Sequence, residues 1–330
     1  MRPTIRDVAK QAGVSIATVS RVVRDHDNVS PETRDRVNAA VLDLQFTPSR
    51  LGRSLAERRH AANGIVFPDL SGPYYAEVVL GYESVAAELG RSVLILSTRG
   101  RDSAPAMVEG MADRCDGLVI MGNTVPDELV ARLARKIPVV LLARPQIRSI
   151  DSVKADNTGS AVALIEHVVA SGARRIVLIG DPDLSPDVAE RWAGFARAAE
   201  AHPGVRLEQR HPALFGELAG ENVAREAMRW GLPDAFVCAN DELALGVLSE
   251  LRTNDIDVPG SVMVTGWDDI MAAQYTGLTT VRQPMRELGG TAALLLDEII
   301  TGSRTKPRHE VLPTELVVRA SSRQSRKDYR

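Results

Sequence analysis

The chain has 330 residues, 44% of them apolar and 25% charged, the make-up of a soluble globular protein long enough for two or three domains of roughly 100–200 residues each. The formal net charge of −3 excludes binding of nucleic acid by bulk charge, but residues 1–60 carry 11 Lys and Arg against 7 Asp and Glu, a net +4, while the other 270 carry 29 against 36, a net −7. A small basic head on a larger acidic body directs the search for a polyanionic partner to the head. The two cysteines, Cys115 and Cys238, make neither a disulfide framework nor a zinc spacing. No run of 18 apolar residues is present to span a membrane, and the start MRPTIRDVAKQAG lacks the apolar core of a signal peptide, so the expected location is the cytoplasm.

Thr4-Ile5-Arg6-Asp7 reads as a capping box with Asp in the usual Glu position. Ile5, Val8, Ala9 and Ala12 then form one helical stripe, which Gly13-Val14 ends. Ser15 caps a second helix running to Val23. Ser30, with Pro31 at the first helical position, caps a third whose buried stripe is Val37, Ala40, Val41 and Leu44. Two short helices about a tight Gly turn, braced by a third, are the helix-turn-helix plan, whose second helix presents its N-terminal part to the DNA major groove. The residues expected there are Ile16, Ala17 and Arg21. Arg21 can pair bidentately with guanine, while Ile16 and Ala17 offer only apolar contact, for example to a thymine methyl. The hydroxyls of Thr4, Ser15, Thr18 and Ser20 suit phosphates, which set position without reading sequence. A small helical subdomain with no DNA role fits the three-helix pattern equally well.

The string TIRDVAKQAGVSIATVSRVV at 4–23, with VSPETRDRV at 29–37, closely resembles the head of the lactose-repressor (LacI/GalR) family of bacterial transcription regulators, and the likeness continues along most of the chain. The resemblance implies a DNA-binding head over 1–46. It also implies a hinge helix over 47–60 that enters the minor groove as a symmetric pair, with Arg53 at phosphates and Leu55 as the apolar wedge. Gly52 stands where the family more often has Ala, and Gly costs about 1 kcal/mol in a helix interior, so this hinge should depend more on dimer and DNA to fold. Taken alone, 50–56 reads as a charged linker.

From residue 62 short β-rich runs alternate with helical stretches. The runs are 64–67, 92–96, 117–121 and 138–142, then a second series at 175–179, 205–209, 235–239 and 262–265. Such alternation means βαβ units and largely parallel sheets, and two similar series mean two similar lobes. The expected fold is thus an N-terminal all-α helix-turn-helix head plus an α/β core of two lobes with parallel sheets. The resemblance likens that core to type I periplasmic binding proteins and implies three crossings between lobes, placed near Gly159, Pro284 and Leu312. The N-terminal lobe is then 61–158 plus about 284–311, and the C-terminal lobe 159–283 plus about 312–330.

Ligands of open parallel sheets bind beyond the carboxyl ends of the strands. The candidates there are Asp69, Met121 to Asn123, Ala143-Arg144, Asn240-Asp241 and Trp267-Asp268. Aromatic residues are only 4% of the chain, yet Tyr74, Tyr75, Trp192, Phe215 and Trp267 all fall at or near these loops. Flat rings beside Asp, Asn and Arg suit a sugar. The resemblance sharpens this set. It implies effector contacts for Arg191 in Glu190-Arg191-Trp192-Ala193-Gly194-Phe195, for Asn240 in Ala239-Asn240-Asp241, and for Asp268 in Trp267-Asp268-Asp269. It further implies a stacking role for Phe215 and places Tyr74 and Tyr75 where the family often has Phe-Phe. Asp156-Asn157 reads as a helix cap as readily as a ligand contact, and plainer roles remain open for the rest: Trp192 and Phe215 as core aromatics, Arg191 and Asp268 as a structural salt bridge, Asp241 and Asp269 as loop braces. Ala143 stands where sugar-responsive members often carry Asp. Either Asn123 or Asp69 supplies the missing acceptor, or the effector is not a common hexose.

No G-x-G-x-x-G or P-loop is present, and the six His, at 26, 60, 167, 202, 211 and 309, have no metal-ligand spacing. Asp268 and Asp269, as strand neighbours, should point opposite ways. No catalytic residue, cofactor or metal is expected. The resemblance implies a regulator, more often a repressor, that binds a pseudo-palindromic double-stranded operator as a homodimer under control of a small-molecule effector, a carbohydrate. The alternatives are a purine or other metabolite, or a transport-type sugar-binding protein, against which the DNA-binding head argues. The tail ASSRQSRKDYR has no leucine heptad to build a four-chain bundle, which favours a dimer, and its last residues should be disordered.

Overall fold

The computed structural model describes residues 3–23, 29–46, 61–212 and 215–322. The chain forms two compact units, Met1–His60 and Ala61–Arg330. Arg53 and Leu55, Gly52 and the tail from 323 onward lie outside the described residues.

The head contains α1 (Ile5–Ala12), α2 (Ile16–Val23) and α3 (Pro31–Asp43). Val8, Ala9, Ala12, Val19, Val22, Val37 and Ala40 form its core. The N–H and hydroxyl of Thr4 both donate to the Asp7 carboxylate, at 2.8 and 2.7 Å. Those bonds hold the Asp7 carboxyl below its usual range. Gly13, at φ 65°, makes the left-handed turn that ends α1, a conformation that glycine adopts without a Cβ penalty. Ser15 Oγ accepts the Thr18 N–H at 3.1 Å and so caps α2. Ser30 precedes α3 as expected, but its hydroxyl donates to Thr33 Oγ1 instead of accepting a backbone N–H.

The body begins with β1 (Ala62–Phe67), α4 (Pro73–Glu88), β2 (Ser92–Ser97), α5 (Ala104–Ala112), β3 (Gly117–Met121), α6 (Asp127–Ala134), β4 (Val139–Leu142) and β5 (Asp151–Ala155). The second series is α7 (Asn157–Ala170), β6 (Arg175–Ile179), α8 (Pro186–Glu200), β7 (Arg206–Arg210), α9 (Glu217–Trp230), β8 (Ala235–Cys238), α10 (Asp241–Thr253) and β9 (Met263–Thr265). The chain closes with α11 (Met271–Thr276), β10 (Thr280–Arg282), α12 (Met285–Thr301), β11 (His309–Leu312) and β12 (Glu315–Val317).

Six parallel strands form the first sheet in the order β11-β5-β4-β3-β1-β2, and four form the second in the order β7-β6-β8-β9. This is the two-lobe α/β core expected from the alternating runs. Alternate side chains of the first sheet serve its two faces. Ile65, Phe67, Val119, Met121, Val140 and Leu142 pack with α4 and α12, while Val66, Leu118, Ile120, Val139 and Leu141 pack with α5 and α6. Helices α4 and α12 touch through Gly81 and Gly289. A Cβ on Gly81 would lie 2.0 Å from the Arg286 carbonyl oxygen, and one on Gly289 would lie 2.1 Å from that of Val78.

The chain passes between lobes from β5 to α7, from β10 to α12, and from β11 to β12, which pairs antiparallel with β10. Helix α12 and β11 thereby return to the first sheet. Four strands, β5, β10, β11 and β12, lie beyond the eight expected runs. Strand β5 carries Asp151, Ser152 and Lys154, and its polar groups are satisfied by distant partners. The Arg308 N–H donates to Asp151 at 3.0 Å, and Ser152 Oγ lies 2.9 Å from His309 Nδ1. The expectation that Asp268 and Asp269 lie on a strand is corrected. Strand β9 ends at Thr265, and both residues have left-handed backbone, φ 116° and 58°.

Candidate effector cleft and DNA-reading face

In the head, α2 buries Val19 and Val22 and turns Ile16, Ala17 and Arg21 to solvent, Ile16 being 45% exposed. Thr4, Ser15 and Thr18 are already engaged in caps: the Thr4 hydroxyl in Asp7, and those of Ser15 and Thr18 in each other at 2.8 Å. Ser20 is half-buried.

In the body, the candidate site is built round Arg191. It sits on α8, buried, with Nε donating to Asn157 Oδ1 at 2.9 Å and Nη1 to the Ala239 carbonyl at 2.5 Å. Its guanidinium carbon lies 4.4 Å from the centroid of the Trp267 ring, a cation–π stack. Trp267 is fully buried, edge-on to Phe195, which in turn touches Trp192. Arg191 Nη2 makes no hydrogen bond with the described residues. The alternative of a structural Arg191–Asp268 salt bridge is not what the geometry shows: Asp268 Oδ1 instead accepts Gln283 Nε2 at 2.5 Å. Burial pushes the Asp268 carboxyl well above its usual range against the pull of Arg191.

Asp187, one helical turn before Arg191 on α8, is a second buried carboxylate that reading from Glu190 onward passed over. Its Oδ1 accepts Asn157 Nδ2 at 3.0 Å, and burial raises its pKa. Asn157 therefore orients both Asp187 and Arg191, while Asp156 takes the cap of α7 by accepting the Gly159 N–H at 2.9 Å. The i, i+4 spacing of Asp187 and Arg191 was the available signal. Gln283 gave none. From the first lobe α4 brings Tyr74 and Tyr75, an edge-on pair with centroids 5.4 Å apart. Burial raises the Tyr74 phenol, and the carboxylates of Asp187 and then Asp268 raise it further. Tyr74 Oη, Trp192 Nε1, Trp267 Nε1 and Gln283 Oε1 are buried without a hydrogen-bond partner among the described residues.

Other residues expected in the cleft have local work. Asp69 accepts the Ser71 hydroxyl at 2.6 Å, the Leu70 N–H at 2.7 Å and Arg99 Nε at 3.2 Å, and the Ser71 bond leads in holding its carboxyl down to about 2. Arg144 is buried and clamps the 122–127 turn through the carbonyls of Gly122 and Val125 and the carboxylate of Asp127. That turn presents Asn123 to solvent. Asn240 caps α10 through the Leu243 N–H at 3.1 Å and donates to the Phe215 carbonyl at 2.8 Å, where Phe215 is half-buried against the core. Trp192 packs within the core. Asp241 accepts Thr280 Oγ1 at 2.6 Å and the Ile270 N–H at 2.9 Å. Asp269 pairs with Arg282 at 2.8 Å and Arg319 at 2.6 Å. Both brace the 266–270 loop. Among the described residues no helix is long and apolar enough to cross a membrane, and no group of three His, Cys, Asp or Glu could hold a metal.

A helix-turn-helix head joined to a two-lobe α/β body is the architecture of a DNA-binding regulator. Comparison with known proteins agrees. Residues 4–49 match the family of bacterial regulatory proteins described as the lacI family, and 165–322 match the periplasmic binding protein-like domain. The transcriptional regulator RegA of Clostridium acetobutylicum is 32% identical over 97% of this chain and 99% of its own. The structure of a lac repressor dimer bound to operator and the anti-inducer ONPF superposes with a TM-score of 0.86 at 27% identity, covering 98% of this chain and 100% of that one. A CelR–cellobiose complex gives a TM-score of 0.72 at 30% identity over 97% of this chain and 100% of that one. The chain belongs to the lacI family and is a DNA-binding transcriptional regulator, not an enzyme.

Proposed function

We propose that the chain is a cytoplasmic repressor that binds a pseudo-palindromic operator as a homodimer and is controlled by a sugar in the cleft between its lobes. The observation that carries the effector half is Arg191 over the Trp267 ring, with one nitrogen left unbonded among the described residues, beside two buried carboxylates. Carbohydrates need such a set: a ring surface for C–H faces and charged groups for hydroxyls. Two neighbours of known structure support the reading, one a dimer on its operator and the other a cellobiose complex. The effector contacts in this reading are Arg191, Asp268, Asn240, Trp267, Tyr74 and Tyr75, with Asp69, Asn123, Trp192 and Phe215 around them.

In the head, Ile16, Ala17 and Arg21 read the major groove, and Thr4, Ser15, Thr18 and Ser20 meet phosphates. Leu55 wedges the central base step while Arg53 holds the backbone. Effector binding then shifts DNA affinity by as much as it prefers one lobe arrangement over the other, typically about 1–3 kcal/mol. Selection of random-sequence duplexes by the full chain tests the DNA half. A two-fold related pair of half-sites is expected, and a single asymmetric site would contradict the dimeric reading.

A further inference from the structure

The geometry points to Asp187 as the residue that sets the charge of the ligand: we infer that it makes the cleft accept unphosphorylated, uncharged sugars and refuse phosphorylated or carboxylated ones. The inference rests on the sugar reading above. Two carboxylates, Asp187 and Asp268, are buried in the cleft, and each has one oxygen bound to a neutral amide, of Asn157 and Gln283 respectively. The second oxygen of each accepts no hydrogen bond from the described residues and is not sealed from solvent. Both are therefore acceptors held ready for hydroxyl donors.

The cations near them are Arg191 and Lys154. Lys154 is paired with Glu190 at 2.5 Å, which leaves Arg191 alone against Asp187 and Asp268, with Asp241 and Glu242 close enough to add to the field. Arg191 has two of its three nitrogens bonded within the protein, so one remains for a ligand. Among the described residues the one charged donor that is buried and unpartnered, Arg144 Nε, belongs to a guanidinium already spent on Gly122, Val125 and Asp127, while Tyr74 Oη, Trp192 Nε1 and Trp267 Nε1 are neutral. They can serve a ring oxygen or hydroxyl but cannot balance a phosphate dianion. An anion beside the Asp187 and Asp268 carboxylates would meet repulsion that only Arg191 is placed to offset. Asp69, the acidic candidate on the first-lobe side, has its carboxylate bonded to Ser71, the Leu70 N–H and Arg99, and Ala143 offers no acceptor. The extra acceptor comes from the second lobe, as Asp187.

The test is calorimetric titration of the full chain with matched pairs. The ligands are glucose, ribose and cellobiose, each set against glucose 6-phosphate, ribose 5-phosphate and cellobionate, for the wild type, D187N and D187S. Both substitutions remove the charge, and D187N keeps an acceptor for Asn157. Expected is binding of at least one free sugar, with its anionic counterpart at least 10-fold weaker, and a several-fold narrowing of that gap in whichever variant folds. A wild type that binds the phosphate or acid as tightly as the sugar overturns the inference and leaves the sugar reading standing. So does a folded variant that keeps the whole gap. Silence of the wild type across all pairs overturns both readings together.

Discussion

Asn157 Oδ1 accepts the Nε–H of Arg191 at 2.9 Å, joining the first residue of α7 to the middle of α8 at the point where the chain has just left the first sheet. The same amide donates to Asp187 and, more distantly, to Glu190, whose carboxylate reaches Lys154 on β5. The crossing strand and the cleft are thus bonded through one side chain. A charged hydrogen bond of this kind contributes about 1.5–3 kcal/mol. N157A should weaken effector binding about 10- to 100-fold while the protein still binds its operator, as measured by calorimetry and by DNA mobility shift.

The head makes a separate prediction. If Arg21 pairs with a guanine, R21A costs about 1–3 kcal/mol of affinity for the selected duplex and relaxes preference at one position of each half-site. Substitution of a phosphate-contacting hydroxyl such as Ser20 should instead weaken all duplexes alike. Competition binding against single-base variants of the duplex separates the two.

Asp241 supplies a pH dependence. Burial raises its carboxyl to about 7, although Thr280 and the Ile270 N–H oppose the shift. The folded state therefore holds a proton that the unfolded chain has lost above about pH 4. Stability from this group is complete below that pH and is lost as pH rises through about 7, at up to about 1.4 kcal/mol per pH unit. The midpoint of thermal unfolding should fall between pH 5 and pH 7, and D241N should flatten that fall.

The α4–α12 contact gives a stability prediction. G81A places a methyl carbon 2.0 Å from a backbone carbonyl that cannot rotate away, so the helices must separate. Overpacking of this sort costs about 1–3 kcal/mol. Chemical denaturation should show the loss for G81A and not for a Gly110→Ala control, where nothing lies within 4 Å.

The features that could be read from sequence are those encoded locally. The three head helices follow from caps, Gly13 and apolar stripes, and the strands β3 and β6 from unbroken apolar runs buried on both faces. Strand β5 was missed because Asp151, Ser152 and Lys154 look like loop residues until Arg308, His309 and Glu190 arrive from elsewhere in the chain. In the candidate site, likeness to the family points to Arg191 and Asp268, and the end of the SVKADN run offers Asn157 as a cap or a ligand contact, whereas neither pointer reaches Asp187 or Gln283. Asp187 and Gln283 are placed by partners 30 and 15 residues away, and only the i, i+4 spacing of Asp187 to Arg191 marks either of them in sequence. Trp192 was placed by its neighbourhood in sequence, yet its ring lies in the core and only its unpartnered Nε1 relates it to the cleft.

The central claim is that a ligand held by Arg191 controls DNA binding. The most direct measurement is the affinity of the full chain for its selected duplex with and without a bound sugar, in the wild type and in R191A. The account predicts a 5- to 150-fold change in the wild type, the span of typical coupling energies, and no change in R191A, which still binds the duplex. A sugar that binds the wild type without altering its DNA affinity, or that acts equally on R191A, would contradict it.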